Sequence, residues 1–216
     1  MIRFLYADQL SQHPLLADTM FKDRAAQFKH RLDWEVTVDA YGREMDQYDL
    51  LNPLYIIHEN ADGRHGGSVR VMPTTGRIMT NEHFLHLTGG VRIASPLIWE
   101  CTRFCLAPDA PIGVAAALLA AGTEMSLRFG IEQAVGVIYA RTVPIYRRIG
   151  CAPDIIGTDG DSRDAISVGL WPMTVAARAE ISRKSGIPVS VMARWFDASF
   201  PVHAPVPAET ADRLAA

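Results

Sequence analysis

The sequence predicts an α/β domain in which a mixed, mainly antiparallel sheet is flanked by helices in an α-β-α sandwich. Strand-like segments come first, as a hairpin, and later strand-like segments alternate with helical ones, an order typical of such sheets. The 216 residues are 49% hydrophobic and 21% charged, which suits one core that needs no covalent staples. We therefore expect a single domain over residues 1–200 and a flexible Pro- and Ala-rich tail over residues 201–216.

The N-terminal quarter reads as a strand, a helix and a long loop. Residues 2–6 form an apolar run, and residues 10–28 carry apolar side chains at roughly helical spacing. Residues 31–51 are polar, contain Gly42 and show weak periodicity, so we expect a long ordered loop there. Loops of this length in compact domains are usually functional or disordered.

The remaining elements follow from turn signals and from Gly or Pro stops. Residues 54–58 and 67–72 are apolar runs separated by NADGRHGG, which predicts a β-hairpin. Further strands are predicted over 97–106, 133–139 and 164–171, and helices over 112–129, 143–149 and 174–184. The three helices end at Gly130, Gly150 and Gly186.

Charge and composition exclude several classes of protein. The formal net charge is −3, so no global field attracts nucleic acid or anionic lipid, and neither partner is expected. No segment approaches the ~18–20 apolar residues that span a bilayer, and the N-terminus lacks the pattern of a signal peptide. The three cysteines lack CxxC spacing, which argues against a disulfide framework or a metal site and favours a cytoplasmic location.

Charged and aromatic residues recur in four short segments of the N-terminal half. The segments are RAAQFKHRLDW, EMDQYD, GSVRVMPTTG and WECTRF, at residues 24–34, 44–49, 67–76 and 99–104. Within or between them lie Arg24, Phe28, Trp34, Asp46, Asp49, Arg70, Phe84, Glu100 and Arg103. In order and spacing this set resembles that of the LuxI-type acyl-homoserine-lactone synthases, the autoinducer synthases. The resemblance covers residues 1–106 well and the rest of the chain more loosely.

The resemblance implies both a fold and a reaction. Members of this family share the fold of the acetyltransferases (GNAT-related), whose sheet splays near its middle to hold an acyl donor. They are acyltransferases that move an acyl group from a thioester, on acyl-carrier protein or coenzyme A, to the amine of S-adenosylmethionine. A lactone then closes, 5′-methylthioadenosine leaves, and the product is a quorum-sensing signal. Both ligands are substrates, so no permanently bound cofactor is expected.

The residue types suit this chemistry. The ammonium of S-adenosylmethionine must lose a proton before it attacks, which is general-base work for Glu100, and Arg103 is the second expected catalytic residue. The expected binding residues for S-adenosylmethionine are Arg24, Phe28, Trp34, Asp46, Asp49, Arg70 and Phe84. Carboxylates match the positive charges of this ligand, whereas arginines pair with its carboxylate or hold those acids in place. Aromatic faces attract the sulfonium or stack on the adenine.

Glu100 and Arg103 impose a geometric condition. Side chains three positions apart in a regular strand point to opposite faces of the sheet. If both residues line one cleft, the strand must contain a bulge or a bend. We predict a bulge near residues 101–102.

The acyl donor leaves fewer traces in the sequence. Apolar candidates for the acyl pocket are Trp99, Leu118, Met125, Val137, Tyr139 and Trp171. The chain lacks the Arg/Gln-x-x-Gly-x-Gly loop with which acetyltransferases hold pyrophosphate and reads LAPDAPIG instead. This difference favours a carrier protein and does not exclude coenzyme A. A basic surface for an acidic carrier protein is expected in one of two places: Arg147, Arg148, Arg178, Arg183 and Lys184, or Lys22, Lys29 and Arg31.

Two other functions remain open at the level of sequence. One is a plain N-acetyltransferase that uses acetyl-coenzyme A, and the missing pyrophosphate loop speaks against it. The other is an inactive sensor of S-adenosylmethionine or acyl thioesters, and the retention of every expected charged residue speaks against it.

Overall fold

A seven-stranded sheet forms the centre of the molecule, for which a computed structural model describes residues 1–201. The strands are β1 (Ile2–Tyr6), β2 (Leu54–Glu59), β3 (His65–Pro73), β4 (Ile98–Leu106), β5 (Gln133–Tyr139), β6 (Asp154–Asp159) and β7 (Ile166–Pro172). Their order is β1-β2-β3-β4-β5-β7-β6. Neighbouring strands are antiparallel except β4 and β5, which run parallel. The predicted mixed, mainly antiparallel sheet is confirmed. The predicted tail lies, from residue 202 onward, outside the described residues.

Helices cover both faces of the sheet. They are α1 (Pro14–Ala25), α2 (Met79–His83), α3 (Val114–Phe129), α4 (Val143–Ile149), α5 (Val175–Ser185) and α6 (Val189–Ser199). On one face, called the site face below, α1 packs against β2 through a cluster that includes Leu16, Met20, Phe21, Tyr55 and Ile57. On the other face α3 and α6 pack against β1, β2 and β3. Among residues 1–201, no helix combines the length and the apolar character that a bilayer crossing requires.

The predicted helix over residues 10–28 consists of three consecutive pieces. A 3-10 turn spans Ala7–Gln12, and α1 begins at Pro14, because the fixed φ and missing N–H of proline fit the first turn of a helix. Beyond α1 the chain continues as a π-helical turn, Ala26–Arg31. Such wide turns occur frequently at functional sites, and this one carries Phe28.

Most other predicted elements are confirmed to within two residues, and three elements lie outside the predictions. β6 is an edge strand whose side chains are almost all exposed, so it lacks the apolar alternation that identifies a half-buried strand. α6 buries only Met192 and Phe196. α2 has five residues, too few for a helical period to be visible.

β4 and β5 separate after a short stretch of pairing. Only residues 98–100 pair with residues 133–135. β4 nevertheless continues to Leu106 and β5 to Tyr139. The two strands therefore bound an opening, called the interstrand cleft below, and the expected splayed sheet is confirmed.

A β-bulge interrupts β4. Ser68 pairs with Cys105 and Arg70 pairs with Thr102, so β4 has one more residue than β3 between these two pairs. Two residues on β4 thus oppose one on β3, which is the definition of a bulge.

The bulge lies at Arg103 and Phe104, directly after the predicted position near residues 101–102. Arg103 adopts a left-handed φ of 53°. This turn brings Arg103 to the site face, where Glu100 also points. The reason for predicting a bulge, that both side chains share one face, is confirmed.

Candidate functional site

Three arginines and three carboxylates form a buried network on the site face. Its members, called the ion network below, are Arg24, Arg70, Arg103, Glu44, Asp46 and Asp49. At its centre Arg24 donates from Nε to Glu44 at 2.6 Å and from its two terminal nitrogens to Asp49 at 3.0 and 2.9 Å. These three side chains are at most 1% exposed. Forked arginine–carboxylate pairs are strong and directional, so the centre of the network is held in one geometry.

Arg70 connects the network to the sheet. It donates to both oxygens of Asp46, to Asp49 at 2.8 Å, and through Nε to the hydroxyl of Thr102 at 2.9 Å. Its side chain is 1% exposed. This guanidinium thus makes four hydrogen bonds within the protein and joins Asp46 and Asp49 to β4.

Arg103 reaches the network from the bulge in β4. It donates from Nε to Glu44 at 3.2 Å and forms an ion pair with Asp46 at 2.8 Å. Arg103 and Asp46 are 10% and 11% exposed, whereas the other four members are at most 1% exposed. The network thus presents one cation and one anion to the cleft.

Burial and pairing set the charges of the network. Burial alone raises the pKa of the Asp49 carboxyl, but Arg24 and Arg70 outweigh it and hold that pKa below its ordinary value. Burial likewise acts to lower the pKa of Arg24, and Asp49 and Glu44 raise it above the ordinary value. Both groups remain charged in the folded protein, and the formal charges of the six members sum to zero.

Three aromatic side chains extend from the ion network towards β5. Phe28 and Trp34 are stacked, with ring centroids 5.0 Å apart and planes 10° apart. The indole N–H of Trp34 donates to the Tyr139 hydroxyl at 2.6 Å. The Arg103 guanidinium lies 5.4 Å from the centroid of Phe28. This aromatic stack (Phe28, Trp34 and Tyr139) crosses the interstrand cleft on the site face and offers π faces to a cationic or planar ligand.

Glu100 lies where β4 and β5 separate. It is the last residue of β4 that pairs with β5, and it is 1% exposed. Its two oxygens accept the backbone N–H groups of Thr80 at 2.6 Å and Met79 at 3.0 Å, at the start of α2. Burial raises the pKa of the Glu100 carboxyl, although these N–H groups and Arg70 oppose the rise. A carboxylate that is held in place and has a raised pKa suits proton transfer.

Phe84 lies apart from the ion network, at the C-terminal end of α2. It packs half-buried against a cluster that contains Leu87, Val135 and Val168. Five of the other expected site residues are members of the network. The remaining three lie beside it on the same face: Phe28, Trp34 and Glu100. In the described part of the chain, no three His, Cys, Asp or Glu side chains are grouped as they would be around a metal ion.

The six apolar candidates for an acyl pocket are divided between the two faces of the sheet. Val137 packs with the cluster around Leu87, and Tyr139 belongs to the aromatic stack, so both are on the site face. On the opposite face, Leu118 and Met125 are 1% and 2% exposed and fill the core under α3.

Trp99 and Trp171 are also on that opposite face. Trp99 packs against the α3 core and lines a cavity of about 390 Å³. Trp171 donates from its indole to the carbonyl of Cys151 at 2.8 Å, and its ring covers Gly136 next to the interstrand cleft. The structure does not bring the six candidates into one pocket.

Three polar residues of the site are missing from the sequence-based set. Glu44 bonds Arg24 and Arg103, Thr102 bonds Arg70, and the hydroxyl of Tyr55 donates to Asp49 at 2.6 Å. Glu44 was visible as the first of the three acids of EMDQYD, the other two of which were in the sequence-based set. Thr102 was visible as the residue two positions from Glu100, hence on its face.

The basic residues of the two expected docking surfaces differ in their partners. Arg147 and Arg148 are exposed at the end of α4. Arg178 instead donates to the buried carboxylate of Glu124 at 2.7 Å. Arg183 and Lys184 pair with Glu180, and in the N-terminal group Lys22 pairs with Asp18.

Comparison with known proteins gives consistent matches. The family described as Autoinducer synthase matches residues 8–179. The acyl-homoserine-lactone synthase of Rhizobium etli is 38% identical over 195 residues, which are 85% of this chain and 91% of that protein. The isovaleryl-homoserine lactone synthase of Bradyrhizobium diazoefficiens is 31% identical over 186 residues, 85% of this chain and 78% of that protein.

Solved structures match the fold. BjaI, a coenzyme A-dependent acyl-homoserine lactone synthase solved with S-adenosylmethionine and isopentyl-coenzyme A, has a TM-score of 0.76 at 23% identity. The match covers 91% of this chain and 98% of BjaI. An acyl-coenzyme A N-acyltransferase of Pseudomonas aeruginosa has a TM-score of 0.54 at 12% identity, with 78% and 97% covered. The chain thus has the acetyltransferase-like fold expected from its sequence.

Proposed function

The chain belongs to the autoinducer synthase family, and we propose that its site face and interstrand cleft carry out the reaction of that family. The protein is an enzyme, an acyltransferase that acts as an acyl-homoserine-lactone synthase. A plain N-acetyltransferase is not favoured, because the N-acyltransferase fold matches at only 12% identity.

One observation carries the proposal for the acceptor site. The ion network exposes only Asp46 and Arg103, and these lie beside the stacked rings of Phe28 and Trp34. S-adenosylmethionine carries an ammonium, a carboxylate, a sulfonium and an adenine. In our proposal Asp46 faces its ammonium, Arg103 faces its carboxylate, and the rings receive its sulfonium or adenine. Arg24, Arg70 and Asp49 keep Asp46 and Arg103 in position.

The proposed chemistry has two steps. Glu100, directly or through one water, accepts a proton from the ammonium, and the free amine attacks the thioester carbonyl carbon. A C–N bond forms, the C–S bond breaks, and the thiolate leaves and takes up a proton. The carboxylate then attacks the carbon next to the sulfonium, which closes the lactone and releases 5′-methylthioadenosine. The unpaired backbone N–H groups of β4 beyond Glu100 are the proposed donors to the thioester oxygen.

The acyl donor enters between β4 and β5 in this proposal. Val137, Tyr139 and Trp171 flank that opening and are the nearer acyl-pocket candidates, with Trp99, Leu118 and Met125 deeper in the opposite face. We propose a thioester of acyl-carrier protein or of coenzyme A as donor: LAPDAPIG in place of a pyrophosphate loop favours the carrier protein, and the coenzyme A-dependent BjaI has the same fold. Arg147 and Arg148 are the proposed docking residues for the acidic carrier.

We place the reaction in the cytoplasm, where both substrates are made. The three cysteines, Cys101, Cys105 and Cys151, are all free, which suits a reducing compartment. Burial raises the pKa of each thiol to about 12, so none is an activated nucleophile.

The decisive experiment is mass spectrometry of organic extracts from cells that express the protein. We expect the homoserine-lactone fragment ion, and the parent mass identifies the acyl chain. The purified enzyme with S-adenosylmethionine and a panel of acyl thioesters should release 5′-methylthioadenosine and free thiol in equal amounts. Thiol release without 5′-methylthioadenosine would point to an N-acetyltransferase instead.

A further inference from the structure

We infer that Tyr139 is a positioning residue for the acceptor site. Its hydroxyl accepts the indole N–H of Trp34 across the interstrand cleft and so holds Trp34 stacked on Phe28. The inference rests on the proposed function, in which the Trp34 ring contacts S-adenosylmethionine.

Trp34 needs such an anchor because of where it lies in the chain. It follows the π-helical turn, in a stretch without regular secondary structure, and its side chain is half-buried. Its backbone N–H donates to the carbonyl of Phe28 at 2.8 Å, and its carbonyl accepts the N–H of Val36 at 2.9 Å. These two bonds fix the main chain and do not set the side-chain torsions of the indole. The 2.6 Å bond to Tyr139 selects one of these orientations.

Tyr139 is itself held firmly. It is the last residue of β5, and it pairs with Ile166 in β7. The guanidinium of Arg141 lies 4.2 Å from its ring centroid, and Arg141 forms an ion pair with Asp164. The sheet therefore fixes the position of the Tyr139 hydroxyl, and the hydrogen bond to this hydroxyl fixes the Trp34 ring, which lies in a loop.

The hydrogen-bond roles are determined by the chemistry of the two groups. An indole N–H is a donor only, so the Tyr139 oxygen must accept it. Removal of this oxygen leaves the half-buried indole N–H of Trp34 without its partner. A hydrogen bond of this kind typically changes an equilibrium by ~3–10-fold.

The test compares Tyr139→Phe with the wild-type protein by calorimetric titration of S-adenosylmethionine. We expect the variant to bind S-adenosylmethionine ~3–10-fold more weakly. A loss of affinity for S-adenosylmethionine that exceeds any rise in the KM for the acyl thioester separates this role from a place in the acyl pocket. Tyr41→Phe removes the hydroxyl of a ring that is 74% exposed and distant from the stack, and this matched control should bind normally.

A double-mutant cycle with Trp34→Phe identifies the route of the effect. Trp34→Phe keeps an aromatic ring and removes the N–H, so Tyr139→Phe should have no further effect in that background. Unchanged affinity in Tyr139→Phe, or an equal loss with and without the Trp34 N–H, would overturn the inference. Wild-type protein that fails to bind S-adenosylmethionine at all would instead refute the proposed function, which separates the two failures.

Discussion

Asp49 is the residue on which most bonds of the ion network converge. It accepts hydrogen bonds from Arg24, Arg70, the hydroxyl of Tyr55 and the backbone of Asp46. Because it is 1% exposed, its charge is balanced by these partners and not by water. It supports the site without contacting the cleft.

Substitution Asp49→Asn should destabilise the fold by ~3–5 kcal/mol, because it leaves two buried arginines short of one negative charge. The pKa of Asp49 is lower in the folded than in the unfolded chain, so its contribution is complete above the unfolded pKa. It is lost as the pH falls through the folded pKa. Urea unfolding at pH 7 measures the first effect, and its continuation down to about pH 2 follows the loss that begins below the unfolded pKa. A variant as stable and as acid-sensitive as the wild type would contradict them.

Substitution Glu100→Gln should lower kcat by ~10²–10⁴-fold if Glu100 is the general base. Since burial raises the pKa of Glu100, the wild-type rate should rise with pH through a value above the 4.5 of an ordinary glutamate. The glutamine variant should lack this rise, and its circular dichroism serves as the control for folding. If the glutamine variant kept its activity, Glu100 would not be the general base and its role would be to accept the N–H groups at the start of α2.

At the residue scale, the identities of the site residues were predictable and their roles were less so. Arg24, Arg70 and Asp49 belong to a recognisable pattern, but the pattern does not show that both arginines form ion pairs with Asp49 or that all three side chains are buried. Glu44 escaped prediction because it lies in an irregular loop, where sequence spacing does not determine which way a side chain points.

Two irregular elements bring the site together. The π-helical turn after α1 carries Phe28, and the bulge in β4 brings Arg103 to the site face. The need for a bulge follows from the two-residue period of a strand. Its exact position depends on the register against β3, which the sequence of β4 does not contain.

A pair of glycines tests how the elements pack. A Cβ added at Gly157 in β6 would lie 1.8 Å from the carbonyl oxygen of Leu87, so Gly157→Ala should destabilise by ~1–3 kcal/mol. A Cβ at Gly122 in α3 would meet only the side chain of Ile56 at 3.5 Å. Gly122→Ala should therefore stabilise the protein by ~0.5–1 kcal/mol through helix propensity. The urea midpoint of unfolding gives the sign of the change in stability for each variant. A change of the same sign in both would contradict this account.

At the scale of the whole molecule, the sandwich was predictable from the order of strands and helices, and the splayed sheet from the resemblance to the LuxI-type synthases. The edge position of β6 was not, because an exposed strand carries no apolar alternation. The division of the acyl-pocket candidates between the two faces was not predictable either, and Leu118 and Met125 lie in the core under α3. Apolar residues in a sequence do not distinguish a core from a cavity.

Charge reversal at Arg147 and Arg148 tests how the whole enzyme meets its donor. The double variant to Glu should raise the KM for acyl-carrier protein several-fold, more at low salt, and leave the KM for S-adenosylmethionine unchanged. Reversal of Lys22 and Lys29 is the matched control at the other basic surface. Equal changes in the KM values of both substrates, or a change only in the Lys22 and Lys29 variant, would show that Arg147 and Arg148 are not the docking surface. If the double variant turned over acyl-coenzyme A efficiently, coenzyme A would be an acyl donor that does not depend on Arg147 and Arg148.

The ion network also has a consequence for the folding kinetics of the chain. Arg103 and Glu44 are 59 positions apart, and Arg24 and Asp49 are 25 apart, so these contacts require long loops to close first. Interactions that form after the transition state change the rate of unfolding and leave the rate of refolding nearly unaffected. We therefore expect the ion network to slow unfolding and so to lengthen the lifetime of the folded molecule.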